Sequence, residues 1–150
     1  MINFKKLFVY LLLILVFAGN AAFADTASVK QAIIAKCNIM GVEPAIMLSI
    51  AKTESGFRQE ARGASGTVGV FQLMPATART LGVNPYTLDG NITGGIKYYK
   101  NLYNMFGSNE LAVAAYNLGP GPVKNCRCVP RSAQNFVSRI MADYNYYKTH

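Results

Sequence analysis

Glu43-Pro44-Ala45-Ile46-Met47-Leu48-Ser49-Ile50-Ala51-Lys52-Thr53-Glu54-Ser55-Gly56 is a short helix with its own start and stop signals. Pro44 suits the first helical position, where a missing N–H costs nothing. Gly56 suits the left-handed residue that closes a helix. Met47, Ile50, Ala51 and Glu54 recur at three- and four-residue steps and share one face, with Ser49, Lys52 and Thr53 on the other. The spacing therefore sets a carboxyl group on an apolar stripe at a helix C-terminus. Desolvation disfavours its charged form and raises its pKa. The partial negative charge of the helix end pushes the same way. A carboxylic acid kept protonated near neutral pH is what a general acid requires. The plain alternative is a half-exposed helix-end glutamate paired with Lys52 or Arg58, and the local pattern leaves both open.

Upstream, Asp25 to Met40 reads as a helix on Val29, Ala32, Ile33, Cys37 and Met40, stopped by Gly41. Downstream, Phe57 to Val68 is polar and glycine-containing, a loop with room for a short hairpin. Gly69-Val70-Phe71-Gln72-Leu73-Met74 leads to Pro75, which starts a short helix through Leu81. Gly82 to Gly90 is turn-like, with Pro85 and Asp89-Gly90 as signals. A longer helix is expected from Asn91, capped by Asn91 or Thr93, with Ile92, Ile96, Tyr99, Leu102 and Phe106 inward. Its Gly94-Gly95 pair asks for a close approach by another segment. Glu110 to Asn117 is apolar all round through Leu111–Ala115 and is expected to be central. Gly119-Pro120-Gly121-Pro122 reads as a sharp stop. A last helix is expected from about Arg131 to Tyr147 on Ala133, Phe136, Val137, Ile140, Met141 and Tyr144. No repeat, linker or train of alternating strands appears, so the fold class is mainly α in one domain.

Residues 1–24 read as a signal peptide: basic Lys5 and Lys6, an uncharged run Leu7–Gly19, then Ala22-Phe23-Ala24 before a cut at Asp25. The remaining 25–150 carries 13 Lys and Arg against seven acids, a net charge of +6. That balance suits an anionic partner such as cell wall or acidic lipid, or is a plain solvated surface. No basic run or recognised motif points to nucleic acid. Cys37, Cys126 and Cys128 read as a disulfide framework in an exported chain. Cys126 and Cys128 are too close in sequence to be favoured partners. Cys37 paired with one of them would close a loop worth about 4–5 kcal/mol in the chain-entropy model, leaving one thiol over. The only histidine is His150, so no metal site is expected.

Three motifs in order, Glu54-Ser55-Gly56-Phe57, Gly69-Val70-Phe71-Gln72-Leu73-Met74-Pro75 and Ala115-Tyr116-Asn117-Leu118-Gly119-Pro120-Gly121, resemble the lytic transglycosylase family with the soluble, lysozyme-like domain. The closest likeness is to its small exported members that serve secretion, conjugation and pilus systems, and it runs from Cys37 to the last helix. The resemblance implies a goose-type lysozyme-like domain over residues 25–150 with a substrate cleft, Glu54 as the single catalytic acid and base, and no cofactor. Carried over, Ser55 would help set the carboxylate or a local water. Gln72 and Met74 would line the cleft, Gln72 offering donor and acceptor to sugar groups. Tyr116 would hydrogen-bond near Glu54 or the reacting sugar, and Asn117 would bind substrate or fix the glycine-rich turn. Asn91-Ile92, Gly95 and Tyr98 match a further stretch in which the tyrosine lies by the cleft; of Tyr98 and Tyr99 only one can. Two departures stand out. Phe71 replaces the usual methionine, and Gly63 occupies the slot nearest a frequent serine, with Ser65 offset. Glu60, Asp89, Glu110 and Asp143 lie in no matched motif. The family's chemistry implies peptidoglycan glycan strands as substrate, 1,6-anhydro-muramic products, a monomer in the periplasm, and an envelope-spanning apparatus as partner.

Overall fold

The computed structural model describes residues 26–150; the expected signal segment and its cleavage site lie outside them. Residues 26–40 form α1. α2 is Pro44–Ser55, α3 Pro75–Thr80, α4 Leu88–Phe106, α5 Asn109–Leu118 and α6 Pro120–Cys126. A 3-10 turn, Arg131–Ala133, leads into α7, Gln134–Thr149. Among the described residues there is no strand; Arg62 and Val68, and Val68 and Leu73, form isolated bridges in the long α2–α3 loop.

α5 is the centre. Ala112, Val113, Ala114 and Ala115 are all fully buried, because α4, α6 and α7 pack around it. α7 also lies along α2. α1 adds Val29, Ile33 and Cys37 to the core. α2 is more deeply enclosed than a two-faced helix: every residue from Ala45 to Ala51 is buried, Ser49 included. Ser49 is tolerated there because its hydroxyl donates to the Ala45 carbonyl one turn back, at 2.7 Å.

Three expectations are corrected. α4 begins at Leu88, not Asn91, and its cap is Thr87, whose Oγ1 accepts from Gly90 N at 3.2 Å. Asp89-Gly90 is thus the first turn of a helix, and Asn91 turns inward. Gly119 does end α5 as read, but Pro120-Gly121-Pro122 at once opens a further helix, α6, that was not expected. Both prolines fall in its first turn, where N–H groups have no intrahelical acceptor to lose. Finally, Cys37 is buried and free, while Cys126 and Cys128 pair with each other. Cys37 sits inside the α1 face of the core, whereas the other two are exposed beyond the end of α6.

The close approach at the α4 glycines is present. A Cβ on Gly95 would run into the Phe71 ring, and one on Gly94 would meet Leu73 Cδ1 at 2.7 Å. The α2–α3 loop therefore lies directly on the α4 backbone.

Candidate active site

α2 ends in a tight reversal. Gly56 takes φ 61° and Phe57 φ 67°, and their N–H groups return to Lys52 O at 3.0 Å and Ala51 O at 3.4 Å. The chain leaves at once, and Glu54 on the last turn faces a cleft of about 420 Å³. The ion pairs offered by its neighbours are absent. Lys52 binds Asp143 at 2.6 Å, and Arg58 donates from Nε to Ser55 O at 2.8 Å. Burial pushes the Glu54 carboxyl up to about 7, with the charge of Arg139 pulling weakly the other way. Among the described residues lining the cleft, Glu54 is the only carboxylate. The other acids are elsewhere: Asp89 pairs with Lys36 at 2.7 Å, Glu110 accepts from Ser108 at 2.8 Å, and Glu60 is exposed.

The opposite wall is the irregular 57–74 segment, and three helices hold it by buried side chains. Ser55, on α2, donates to Val70 O at 2.8 Å and accepts from Arg58 N at 3.0 Å. Asn91, on α4 and fully buried, accepts from Phe71 N at 2.8 Å and donates to Val68 O at 2.7 Å and Pro85 O at 2.9 Å. Tyr116, on α5, donates to Phe71 O at 2.9 Å. Without these partners the loop's backbone groups would be buried and unpaired, at a cost of about 1–3 kcal/mol each.

This arrangement changes the roles of several expected site residues. Ser55 does not line the cleft; its hydroxyl fastens the loop. Tyr116 presents its ring to the cleft while its hydroxyl is held by the backbone. Burial, and then the nearness of Glu54, drive the Tyr116 phenol well above its ordinary value, so it stays a neutral donor. Gln72 lines the cleft from a left-handed backbone, φ 46°. Its Nε2 donates to Gly69 O at 2.9 Å and its Oε1 accepts from Thr67 at 2.6 Å, so its amide braces the loop. Phe71 is wholly buried against Gly95 and is no part of the wall.

Met74, Tyr98 and Asn117 do reach the cleft. Met74 is 43% exposed at the mouth. The Tyr98 ring packs on Tyr116 with centroids 5.0 Å apart, and burial raises its phenol. Tyr99 points to the far side, donating to Asn109 at 2.7 Å, so Tyr98 is the cleft tyrosine of the pair. Sequence reasoning missed Thr67, Thr77 and Leu73 as lining residues, and Ser65 reaches the cleft despite its offset. A second cavity of about 390 Å³ lies by the start of α2. There Tyr144 donates to Glu43 at 2.5 Å and Lys100 to Met40 O at 2.7 Å.

A helical domain with one protonated carboxyl at a helix end, facing a cleft walled by a pinned loop, has the architecture of the lysozyme-like transglycosylases. Residues 31–135 match the Transglycosylase SLT domain, and the chain belongs to that family. It is 34% identical over 79 residues to a transglycosylase of Enterobacteria phage PRD1, covering 52% of this chain and 30% of that protein. It superposes on the lytic transglycosylase Slt of Pseudomonas aeruginosa, an inactive glutamate-to-glutamine mutant, with TM-score 0.70 and 25% identity over 79% of this chain and 24% of the other. The 70 kDa soluble lytic transglycosylase of Escherichia coli shares the fold at TM-score 0.70 and 24% identity, again over 79% of this chain and 24% of the other. The chain thus spans less than a third of each of these relatives.

Proposed function

We propose that the chain is a peptidoglycan lytic transglycosylase that cleaves the β-1,4 bond between N-acetylmuramic acid and N-acetylglucosamine with Glu54 as acid and then base. The observation that carries this reading is a single carboxyl, raised to about 7, as the only acid among the described residues lining the cleft. Glycosidases that use water generally need two flanking carboxylates; an intramolecular nucleophile removes the need to hold and activate a water. Protonated Glu54 gives its proton to the glycosidic oxygen as the C1–O bond breaks. The substrate's own acetamido group shields the positive charge at C1. The 6-hydroxyl of the same muramic sugar then attacks C1, and the Glu54 carboxylate accepts its proton. A 1,6-anhydro ring forms, and Glu54 ends protonated, ready for another turn.

Family membership and the names of the relatives support the substrate and the reaction class. Met74, Tyr98 and Asn117 are the residues free to meet sugar. Gln72, Tyr116 and Ser55 act through the loop, which sets the width of the cleft. Export by cleavage after Ala24 would deliver a monomer to the periplasm, where a net charge of +6 suits an anionic wall. Local opening of the wall for a secretion, conjugation or pilus apparatus is the role suggested by the likeness of its motifs to family members that serve such systems.

Mass spectrometry of digested peptidoglycan tests the proposal. Muropeptides ending in anhydro-muramic acid are expected, and Glu54→Gln is expected to abolish them. Reducing ends would indicate hydrolysis. Undiminished clearing of walls by Glu54→Gln would remove Glu54 from the chemistry.

A further inference from the structure

Cys126 and Cys128 do not brace the fold. Their sequence separation is 2, and the restraint a disulfide places on the unfolded chain shrinks with the loop it closes. The bond joins no two helices, since both cysteines belong to one turn at the end of α6. Both are exposed, whereas the residue that holds α6 to the core is Val123, fully buried one turn earlier.

The turn that carries the two sulfurs is fixed by the cap of α6 as well as by the bond. Arg127, between them, adopts the left-handed conformation at φ 52° and caps α6, its N–H returning to Val123 O at 2.8 Å. A side-chain-bearing residue is rarely left in this region without a reason. The Cα atoms of the pair stand 5.1 Å apart, inside the range a disulfide requires. The Cys128 N–H and the Cys128 carbonyl oxygen each lie 3.2 Å from the Cys126 sulfur, so the sulfur has a donor and an acceptor beside it. Lys124, Arg127 and Arg131 lie within a few residues of the pair in sequence, and no acid occurs in the sequence between Glu110 and Asp143. Nearby cations lower a thiol's pKa and make it a better leaving group. The C-terminal end of α6 opposes this through its partial negative charge, but the helix is short and the cations outnumber it.

We propose that Cys126–Cys128 is an exchangeable disulfide, a site for two-electron exchange with a dithiol partner, separate from the glycan cleft. A partner thiolate attacks the exposed Cys128 sulfur. The S–S bond breaks and its electron pair leaves on Cys126, beside the Cys128 N–H. The partner's second thiol then attacks its own sulfur in the mixed disulfide and releases Cys128. The partner is oxidised to a disulfide, and Cys126 and Cys128 take up two protons and two electrons. The mixed disulfide places the partner one short helix away from Gly119 at the cleft edge, about 10 Å for seven residues. A protein bound there covalently would be held close to the cleft.

The test uses the full chain in anaerobic mixtures of reduced and oxidised dithiothreitol, quenched with an alkylating reagent and read by mass. The expected result is a reversible change in labelling of Cys126 and Cys128 with the dithiol ratio, while buried Cys37 stays unlabelled and the helical circular dichroism is unchanged. The double variant Cys126→Ser with Cys128→Ser should melt within about 5 °C of the oxidised parent, the size of a minor stability change for a domain of this length. Labelling that appears only together with Cys37, or a far larger fall in melting temperature, would make the pair a structural brace and overturn the proposal. Thiols that never re-form the bond in oxidised dithiothreitol would overturn it as well.

Discussion

Relative to the parent, Glu54→Gln should gain stability as the pH rises from about 4.5 to about 7, and keep that gain above it. In the unfolded chain the carboxyl has its ordinary value of 4.5; in the fold it stands at about 7. Below the lower value both states are protonated and the group contributes nothing to the balance. Between the two values the unfolded state ionises and the folded state does not, so stability falls by about 1.4 kcal/mol per pH unit. Above about 7 both are ionised and the whole penalty stands, about 2–3 kcal/mol after allowing for partial solvent contact. Glutamine keeps the shape and never ionises, so the variant escapes the penalty. The buried amide carries its own desolvation cost, but that cost does not depend on pH. The measurement is urea unfolding of both forms from about pH 4 to about pH 8.5, read as the difference in unfolding free energy at each pH. The difference should climb in favour of Glu54→Gln through the interval and level off above it. A difference that stays flat, or falls, would show that the carboxyl is not held up by burial and would remove the physical basis for its role as an acid.

Catalysis by the protonated form should decline on the alkaline side, with kcat/KM falling about tenfold per pH unit well above 7; a rate constant indifferent to pH there refutes the assignment, as read from turbidity loss of cell walls. Asn91→Ala strands Phe71 N and removes one of two donors from Val68 O and from Pro85 O, and should cost about 1–3 kcal/mol in chemical denaturation. Gly95→Ala drives a methyl group into the Phe71 ring and should cost about 1–3 kcal/mol. Phe71→Ala, which removes the Cγ and Cδ2 nearest that methyl, should recover part of that loss, which a double-mutant cycle measures as coupling.

Much of this architecture is legible because its signals are local. Pro44 and Gly56 bound α2 by conformational preference, and the 3- and 4-residue steps between them point Glu54 inward. Gly94-Gly95 announces a close approach without naming Phe71 as the visitor. The misreadings of polar side chains have one origin, which is that such a group serves whichever orphaned backbone group lies nearest in space. Asn91 has the chemistry of a helix cap, but the 68–71 backbone needs it more, and Thr87 is left to cap α4. The Ser55 and Tyr116 hydroxyls, expected at the sugar, bond carbonyls of the 57–74 loop, and Gln72, which lines the cleft as read, braces that loop as well. The α6 prolines are read as breakers because their tolerance depends on where the first turn falls. Cysteine spacing cannot say which thiol the core encloses, and Cys37 is enclosed on the α1 side.

The three side chains that pin the 57–74 segment have a consequence for how the wall of the cleft opens. Irregular backbone is commonly the first part of a domain to exchange its amide hydrogens, because its local opening breaks little. Here Phe71 N is bound by a side chain rooted in α4, and the carbonyls on either side of it by α2 and α5. To free that amide the chain must detach from three helices that share one core. The Phe71 amide should therefore exchange as slowly as those at the middle of α5, through opening of the whole domain. The cleft would then keep its width on the timescale of catalysis, and a glycan strand would meet a wall already in place.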